Sequence, residues 1–528
     1  MSKFPHSRLF HGPSKTVVIS GPEIQVLDSQ SGSCLSSTLD LDTALRDALA
    51  KAGPVRCAAL DHEFTHVVTV ADDKKMKVWE TDGLKLLSER ELPKKPTGVL
   101  FTKDGQTILT SDKFGDVFSY PLHPVPETPT QPTAKPKFVS HDNPSGGKLI
   151  LGHTSLLTAF ALTEDEKYII TADRDEHVRV SWYPQGYNIE RCCLGHEKFV
   201  SALHIPHKAP ATLISGGGDP VLKMWDWYTG KLLSDISILE HVEPYIKVKV
   251  PKGKKGRWED EDGEAEGEGQ KRGKRRKGKG KGKGKGKGKS EEPKMEAEEM
   301  EVEVKEEQDE HMANAEESAQ RENEKAEPEL ETVLAVSKIT SIGDGPSHIL
   351  FSATGATALF SCAYPDTGQT NITACDLAKP ILDFVVIEDD SAKGALVWVL
   401  LDGEWGGQNG DVKMVRAVRC RNGEFTVLDE AQSPLLASLN FTSLLPATPS
   451  QLSSLELYAA LSTLPKNSTA EHDPMDRPDP DVDEGGDNAG GKQAAKMRTR
   501  KALAAALAKE QGASGSEERE GKRVKMDT

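Results

Sequence analysis

His196, Ser215 and Asp219 fall within one short stretch, and their types are those of a hydrolase: an imidazole base, a hydroxyl nucleophile and an orienting carboxylate. A serine nucleophile of that kind is often presented on a G-x-S-x-G turn between strand and helix. Here Ser215 sits in LISGGGD, which is no such elbow. The same residue types recur one unit earlier as His153, Thr171 and Asp175. A triad written twice is a construction device. Buried His, hydroxyl and Asp, joined by the indole of Trp225, can share a hydrogen-bond chain that locks a turn. We therefore assign His153, Thr171, Asp175, His196, Ser215, Asp219 and Trp225 to structural tetrads and expect no catalytic residue.

Other chemistry is sparse. SIGDG (341–345) and DGEWGGQNG (402–410) are glycine-rich, but they lack the lysine of a phosphate loop and the downstream acid of a dinucleotide site. They read as hairpin loops, and no cofactor is expected. Seven cysteines, at 34, 57, 192, 193, 362, 375 and 420, form no CxxC pair and no zinc spacing. No metal is expected, and an odd count without a framework fits a reducing compartment. The N-terminal MSKFPHSRLFHGPSK carries no secretory apolar run, and no stretch is long and apolar enough to span a membrane, so no membrane contact is expected.

The elements that must position the tetrads are visible in the repeat itself. Residues 150–182 read ILGHTSLLTAFALTEDEKYIITADRDEHVRVSW, and residues 193–227 read CLGHEKFVSALHIPHKAPATLISGGGDPVLKMWDW. Each opens on Gly-His, runs through strands and closes on an aromatic strand. A period of about 40–45 residues with this pattern marks a β-propeller. Degenerate copies are VVISGPEIQVLDSQSG (17–32), VVTVADDKKMKVWETDG (67–83) and ILTSDKFGDVFSYPL (108–122). Two more lie at 335–366 and 381–420. The expected fold is all-β: a seven-bladed WD40 β-propeller with a long disordered charged insertion and a disordered C-terminal tail. Blades one to five fall in 1–250 and blades six and seven in 333–445. Either a strand near 425–441 or the N-terminus closes the ring.

The insertion, 251–332, explains the charge. The formal net charge is −16, yet residues 271–289 hold twelve Lys or Arg and no acid, between acidic runs. Such blocks repel themselves and stay disordered. The run reads as a solvated tether, as a nuclear-import signal, or as a sequence-blind contact with nucleic acid through phosphate neutralisation. The tail, 466–528, is polar, with an Ala-rich basic helix candidate at 493–511 and a short basic GKRVKMDT end.

Register places charges on one face. Aligned against the tetrads, Lys113, Arg174 and Gly218 share one position in the turn between the second and third strands of their blades. Lys113 and Arg174, with Asp72, Asp73, Lys74, Lys75, Glu176 and His177, make a mixed-charge patch. Mixed sign suits a protein partner better than a nucleic acid. The plainer reading is that turns are polar, and that Arg179 pairs internally with Asp173 or Asp175.

The strings TADRDEHVRVSWYP and LTSDKFGDVFSYPL depart from a generic repeat, in part because Trp182 stands one place late after Ser181. Over residues 55–240 the chain resembles the non-catalytic WD-repeat subunit of the eukaryotic tRNA (guanine-N(7)-)-methyltransferase. The resemblance implies a scaffold that binds a separate Rossmann-type catalytic subunit as a heterodimer and keeps it active. It implies N7 methylation of a guanosine in the tRNA variable loop, in the nucleus, with tRNA engaged through the complex. It also implies partner contacts at Lys113, Glu176 and Arg179, and register adds Arg174. The alternative is a generic WD-repeat adaptor, such as a ubiquitin-ligase substrate receptor or a chromatin-associated scaffold. Direct RNA contact through the basic insertion is compatible with either.

Overall fold

The computed structural model describes residues 2–124, 143–251, 329–343, 348–364, 371–390, 393–407, 413–428 and 433–466. The basic run, nearly all of the charged insertion and the tail beyond Lys466 lie outside the described residues.

Seven four-stranded antiparallel sheets form among the described residues, each from four strands consecutive in sequence. They span 6–37, 57–91, 96–152, 157–193, 200–237, 336–376 and 381–427. These are the seven blades expected from the repeat. A two-residue pairing of Val250–Pro251 with Leu330–Glu331 joins the two sides of the insertion.

The strand sequences explain the layering. Second and third strands are packed on both faces between neighbouring blades, so they read as near-continuous apolar runs. Val17, Val18 and Ile19 are all buried, as are Leu213 and Ile214 on one strand and Leu222, Met224 and Trp225 on the next. Outer strands face water, as in Lys231–Ser237, where Ile236 is buried while Leu232 and Leu233 are exposed. Trp79 and Trp225 are fully enclosed and anchor the blade interiors.

Of the two expected routes, the N-terminus closes the ring. Glu424–Val427 is simply the outer strand of blade seven, and Pro434–Asn440 is a helix. Among the described residues no strand is exchanged; the first strand of blade one, His6–His11, packs directly against that of blade seven, Ile381–Asp390. The helix then fastens the seam. Asn440 Oδ1 accepts the amides of Met414 and Val415 at 2.9 and 3.0 Å, and its Nδ2 donates to the Val415 carbonyl at 2.9 Å. His6 bridges Ser20 Oγ (2.7 Å) and the Leu439 carbonyl (2.8 Å). Burial pushes that imidazole down to about 4, so it is neutral at pH 7. The Phe4 amide donates to the Leu445 carbonyl at 2.9 Å.

Beyond the seam the chain does not leave the ring. Short helices Pro449–Ser454 and Ala460–Thr463 form a strap. It touches Arg56 of the loop entering blade two, Asp402 of blade seven, Phe199 of the loop entering blade five and Arg174 of blade four. All of these lie at the ends of the blades from which their first strands start. We call this the turn face. The first strands line a cavity of about 1280 Å³, with Asp61, Lys103, Glu166 and Asp383 among its residues.

Candidate functional site

The tetrad of blade five is complete. His196 Nδ1 meets Asp219 Oδ2 at 2.5 Å, and its Nε2 meets Ser215 Oγ at 2.7 Å. Trp225 Nε1 donates to the same hydroxyl at 2.8 Å. Ser215 is fully buried, so its oxygen is spent inside the blade and cannot meet a substrate. Asp219 also accepts the Glu197 amide at 3.1 Å, which ties the blade-entry loop to the turn.

Blade four corrects the sequence assignment. His153 Nε2 meets Thr171 Oγ1 at 2.8 Å, as aligned, but Nδ1 meets Asp173 Oδ2 at 2.8 Å. Asp173, not Asp175, completes the chain. The reason is local space. The blade-five equivalent of Asp173 is Gly217, where a Cβ would lie 1.9 Å from the Phe199 carbonyl oxygen, so the carboxylate must come from two residues later. Blade four admits a side chain there. Asp173 Oδ1 then accepts the amides of Asp175 and His177 at 2.9 and 3.0 Å, building the turn from within. Burial raises the Asp173 carboxyl, but the His153 and His177 bonds outweigh it and hold it below its ordinary value.

Asp112 shows the same turn without a histidine. Its Oδ1 accepts the amides of Phe114 and Asp116 at 2.9 and 3.1 Å, while Oδ2 has no hydrogen-bond partner. Burial without an imidazole pushes this carboxyl up to about 6. SDKFGD and ADRDEH are therefore the same structure, and reading them against each other identifies Asp173.

The shared register of Lys113, Arg174 and Gly218 is exact in hydrogen bonding. Their amides donate to the carbonyls of Lys95, Leu156 and Phe199 at 3.1, 2.9 and 2.9 Å, each on the loop entering its own blade. Positive φ recurs three residues into the turns of blades two, three and four, at Lys74 (58°), Gly115 (93°) and Glu176 (70°). Glu176 therefore holds a conformation that costs a non-glycine residue about 1 kcal/mol or more.

The strap explains what Arg174 and Glu176 touch. Arg174 Nε and Nη2 donate to the carbonyls of Leu464 and Pro465 at 3.0 and 3.2 Å. Lys466 Nζ reaches Glu176 at 2.5 Å and Asp175 at 3.3 Å. Farther along, Arg56 holds Asp72 at 2.7–2.9 Å and donates to the Ser454 carbonyl at 2.9 Å. Tyr458 Oη donates to Asp402 Oδ2 at 2.6 Å. Arg179 lies inward of the turn. Its Nη1 donates to the Gly152 carbonyl at 3.0 Å, its Nε is buried without a hydrogen-bond partner, and burial lowers its affinity for the proton. Ser181 occupies the buried place of the blade's indole. Trp182 turns out to solvent, packs on Tyr168 at 5.2 Å and donates to Glu190 at 2.8 Å.

Sequence reading missed the strap, although Leu445, Leu455 and Leu461 carry its apolar anchors. Leu461, 1% exposed, packs with Phe199 and Ala335. Leu461→Ala should cost about 2–5 kcal/mol of strap or whole-chain stability. Hydrogen exchange of the amides at 173–177 and 197–199 should speed up in that variant. Unchanged protection there would show that the strap does not hold the turn face.

Comparison with known proteins gives the family of the chain. The family described as "tRNA methyltransferase TRM82 WD40 domain" matches residues 48–145 and 140–404, well over half of the chain. Among similar proteins are tRNA (guanine-N(7)-)-methyltransferase non-catalytic subunits from three fungi. That of Aspergillus oryzae is 39% identical over 236 residues, covering 36% of this chain and 47% of the relative. That of Sclerotinia sclerotiorum is 37% identical over 235 residues, covering 36% and 46%. That of Eremothecium gossypii is 37% identical over 200 residues, covering 36% and 41%. The matched region spans a little under half the length of these relatives. On the strength of the match across its propeller, the chain belongs to the tRNA methyltransferase TRM82 WD40 domain family.

Proposed function

We propose that this chain is the non-catalytic scaffold subunit of a tRNA (guanine-N7) methyltransferase. It binds a separate catalytic subunit as a heterodimer and stabilises its active form, supporting N7-methylguanosine formation in the tRNA variable loop. The observation that carries this reading is family membership across the propeller, together with relatives named as non-catalytic subunits of that enzyme. The buried tetrads support it, because their hydroxyls and imidazoles are consumed in holding turns.

Docking is on the turn face, through Lys113 and its neighbours. Arg174 and Glu176 contribute there by fixing the strap, and Arg179 by bracing the turn. tRNA is engaged through the complex, aided by the basic run at 271–289, and the complex works in the nucleus. A generic WD-repeat adaptor rests on the fold alone, and folds of this kind serve many functions. Affinity purification of the tagged full chain from nuclear extract separates the two. A Rossmann-type methyltransferase chain should co-purify in roughly equal amount. Recovery of a ubiquitin-ligase adaptor or histones in its place would overturn the scaffold reading.

A further inference from the structure

Blade three carries the turn of blade four with the compensating groups removed. Asp112 and Asp173 hold the same place in their turns. Asp112 accepts the amides of Phe114 and Asp116, and Asp173 those of Asp175 and His177. In blade four two imidazoles face the carboxylate, His153 Nδ1 at 2.8 Å and His177 Nδ1 at 3.3 Å from Asp173 Oδ2. Strand register gives their counterparts in blade three. Asp112 pairs with Pro96 as Asp173 pairs with Leu157, so the place of His153 falls to Leu92 and that of His177 to Asp116. A buried alkyl group replaces one imidazole, and a second acid replaces the other.

The fold therefore leaves this carboxylate without a counter-charge. Asp112 is 4% exposed, and its Oδ2 has no hydrogen-bond partner among the described residues. The charged and titratable groups around it are engaged elsewhere or carry the same sign. Asp116, 8% exposed, shares the turn and adds like charge. The Tyr120 hydroxyl on the next strand accepts Asn143 Nδ2 at 2.7 Å. On the approach to the blade Glu91 is exposed and Lys95 holds Asp72 at 2.9 Å. Lys94 stands with Lys113 over the Phe114 ring. Arg90 donates to the carbonyls of Pro121 and Leu122. His153, behind the turn, is bound by Asp173 and Thr171.

An uncompensated carboxylate costs far more to bury than the neutral acid. Burial, with Asp116 beside it, pushes the Asp112 carboxyl up to about 6 against the pull of the turn amides.

We propose that Asp112 is a proton-binding site built into blade three, at which mild acidification neutralises the carboxylate and tightens the SDKFGD turn. This stands apart from the scaffold reading. The sign follows from linkage. A carboxyl raised in the folded chain contributes stability that is complete below its unfolded value of 3.8 and is lost as pH rises through about 6. Asp173, held below its ordinary value, runs the other way. The turn that carries Lys113 is thus firmest in mild acid, and the adjoining turn of blade four at neutral pH.

Hydrogen exchange of the full chain, read on peptides spanning 112–117, tests this. Variants and the unaltered chain are compared at matched pH, so that the intrinsic exchange rate cancels. Asp112→Asn removes the charge and keeps an oxygen for the two amides. Its protection relative to the unaltered chain should rise about tenfold between pH 5 and pH 7.5. Asp116→Asn removes the like charge, and its relative protection should rise in the same direction by a smaller factor. A ratio for Asp112→Asn that falls with pH, or stays within about twofold across this range, would overturn the proposal. The carboxylate would then be solvated or paired in the folded chain. If Asp112→Asn does not fold, the same criterion applies to Asp116→Asn.

Discussion

Asp173→Ala is expected to destabilise the chain by about 3–5 kcal/mol, whereas Asp175→Ala should cost under about 1 kcal/mol. The two residues stand two apart in one turn, and their environments differ completely. Asp173 is 1% exposed, bonds His153 and caps two amides of its own turn. Removing it strands a buried imidazole and two backbone donors, each of which wants a partner. Asp175 is 40% exposed and faces Lys466 across 3.3 Å, a contact that water and salt screen.

The acid limb gives a second signature. Asp173 is held below the ordinary carboxylate value, so its stabilisation is complete above its unfolded pKa and is lost as pH falls through the folded one. His153 is also lowered, chiefly by burial, so charging it in acid opposes folding. Urea unfolding of the two variants from pH 7 down to pH 3 should show a shallower acid loss in Asp173→Ala only. Equal losses for both, or a larger one for Asp175→Ala, would return the tetrad to its aligned position.

The repeat was legible because propeller blades impose a strict local order of strand, turn and aromatic. The blade-five tetrad follows from that order, and so does the common position of Lys113, Arg174 and Gly218, which now share one backbone hydrogen bond. The choice of Asp173 over Asp175 was not legible from blade five alone. It depends on whether a carbonyl from the neighbouring loop crowds the strand end, which is a tertiary fact. The strap was hidden for a related reason. Its helices are too short to show a helical period, and its partners lie hundreds of residues earlier, as with Arg56 and the Leu455 carbonyl. The seam is another such case. Asn440 satisfies the Met414 and Val415 amides from a helix where the sequence offered a closing strand.

The largest functional effect expected is on the partner's chemistry. A scaffold that binds the active form of an enzyme shifts its population by the difference in affinity for the two forms. Coupling of about 1–3 kcal/mol corresponds to roughly 5–150-fold. The chain should supply that coupling through the turn face, with no catalytic group of its own in the reaction. Alanine at Ser215, His196 or Asp219 should therefore reduce methyl transfer only as far as it unfolds blade five. At a temperature where the variant remains folded, activity of the complex should be near that of the unaltered one. Loss of activity with the fold intact would reopen the triad.

The most direct measurement is methyl transfer to guanosine N7 in tRNA by the purified catalytic subunit, alone and with an equal amount of this chain. Activity about tenfold or more above that of the subunit alone, lost when the turn face is altered at Lys113, is the expected result. The same activity with and without the chain would contradict the central claim.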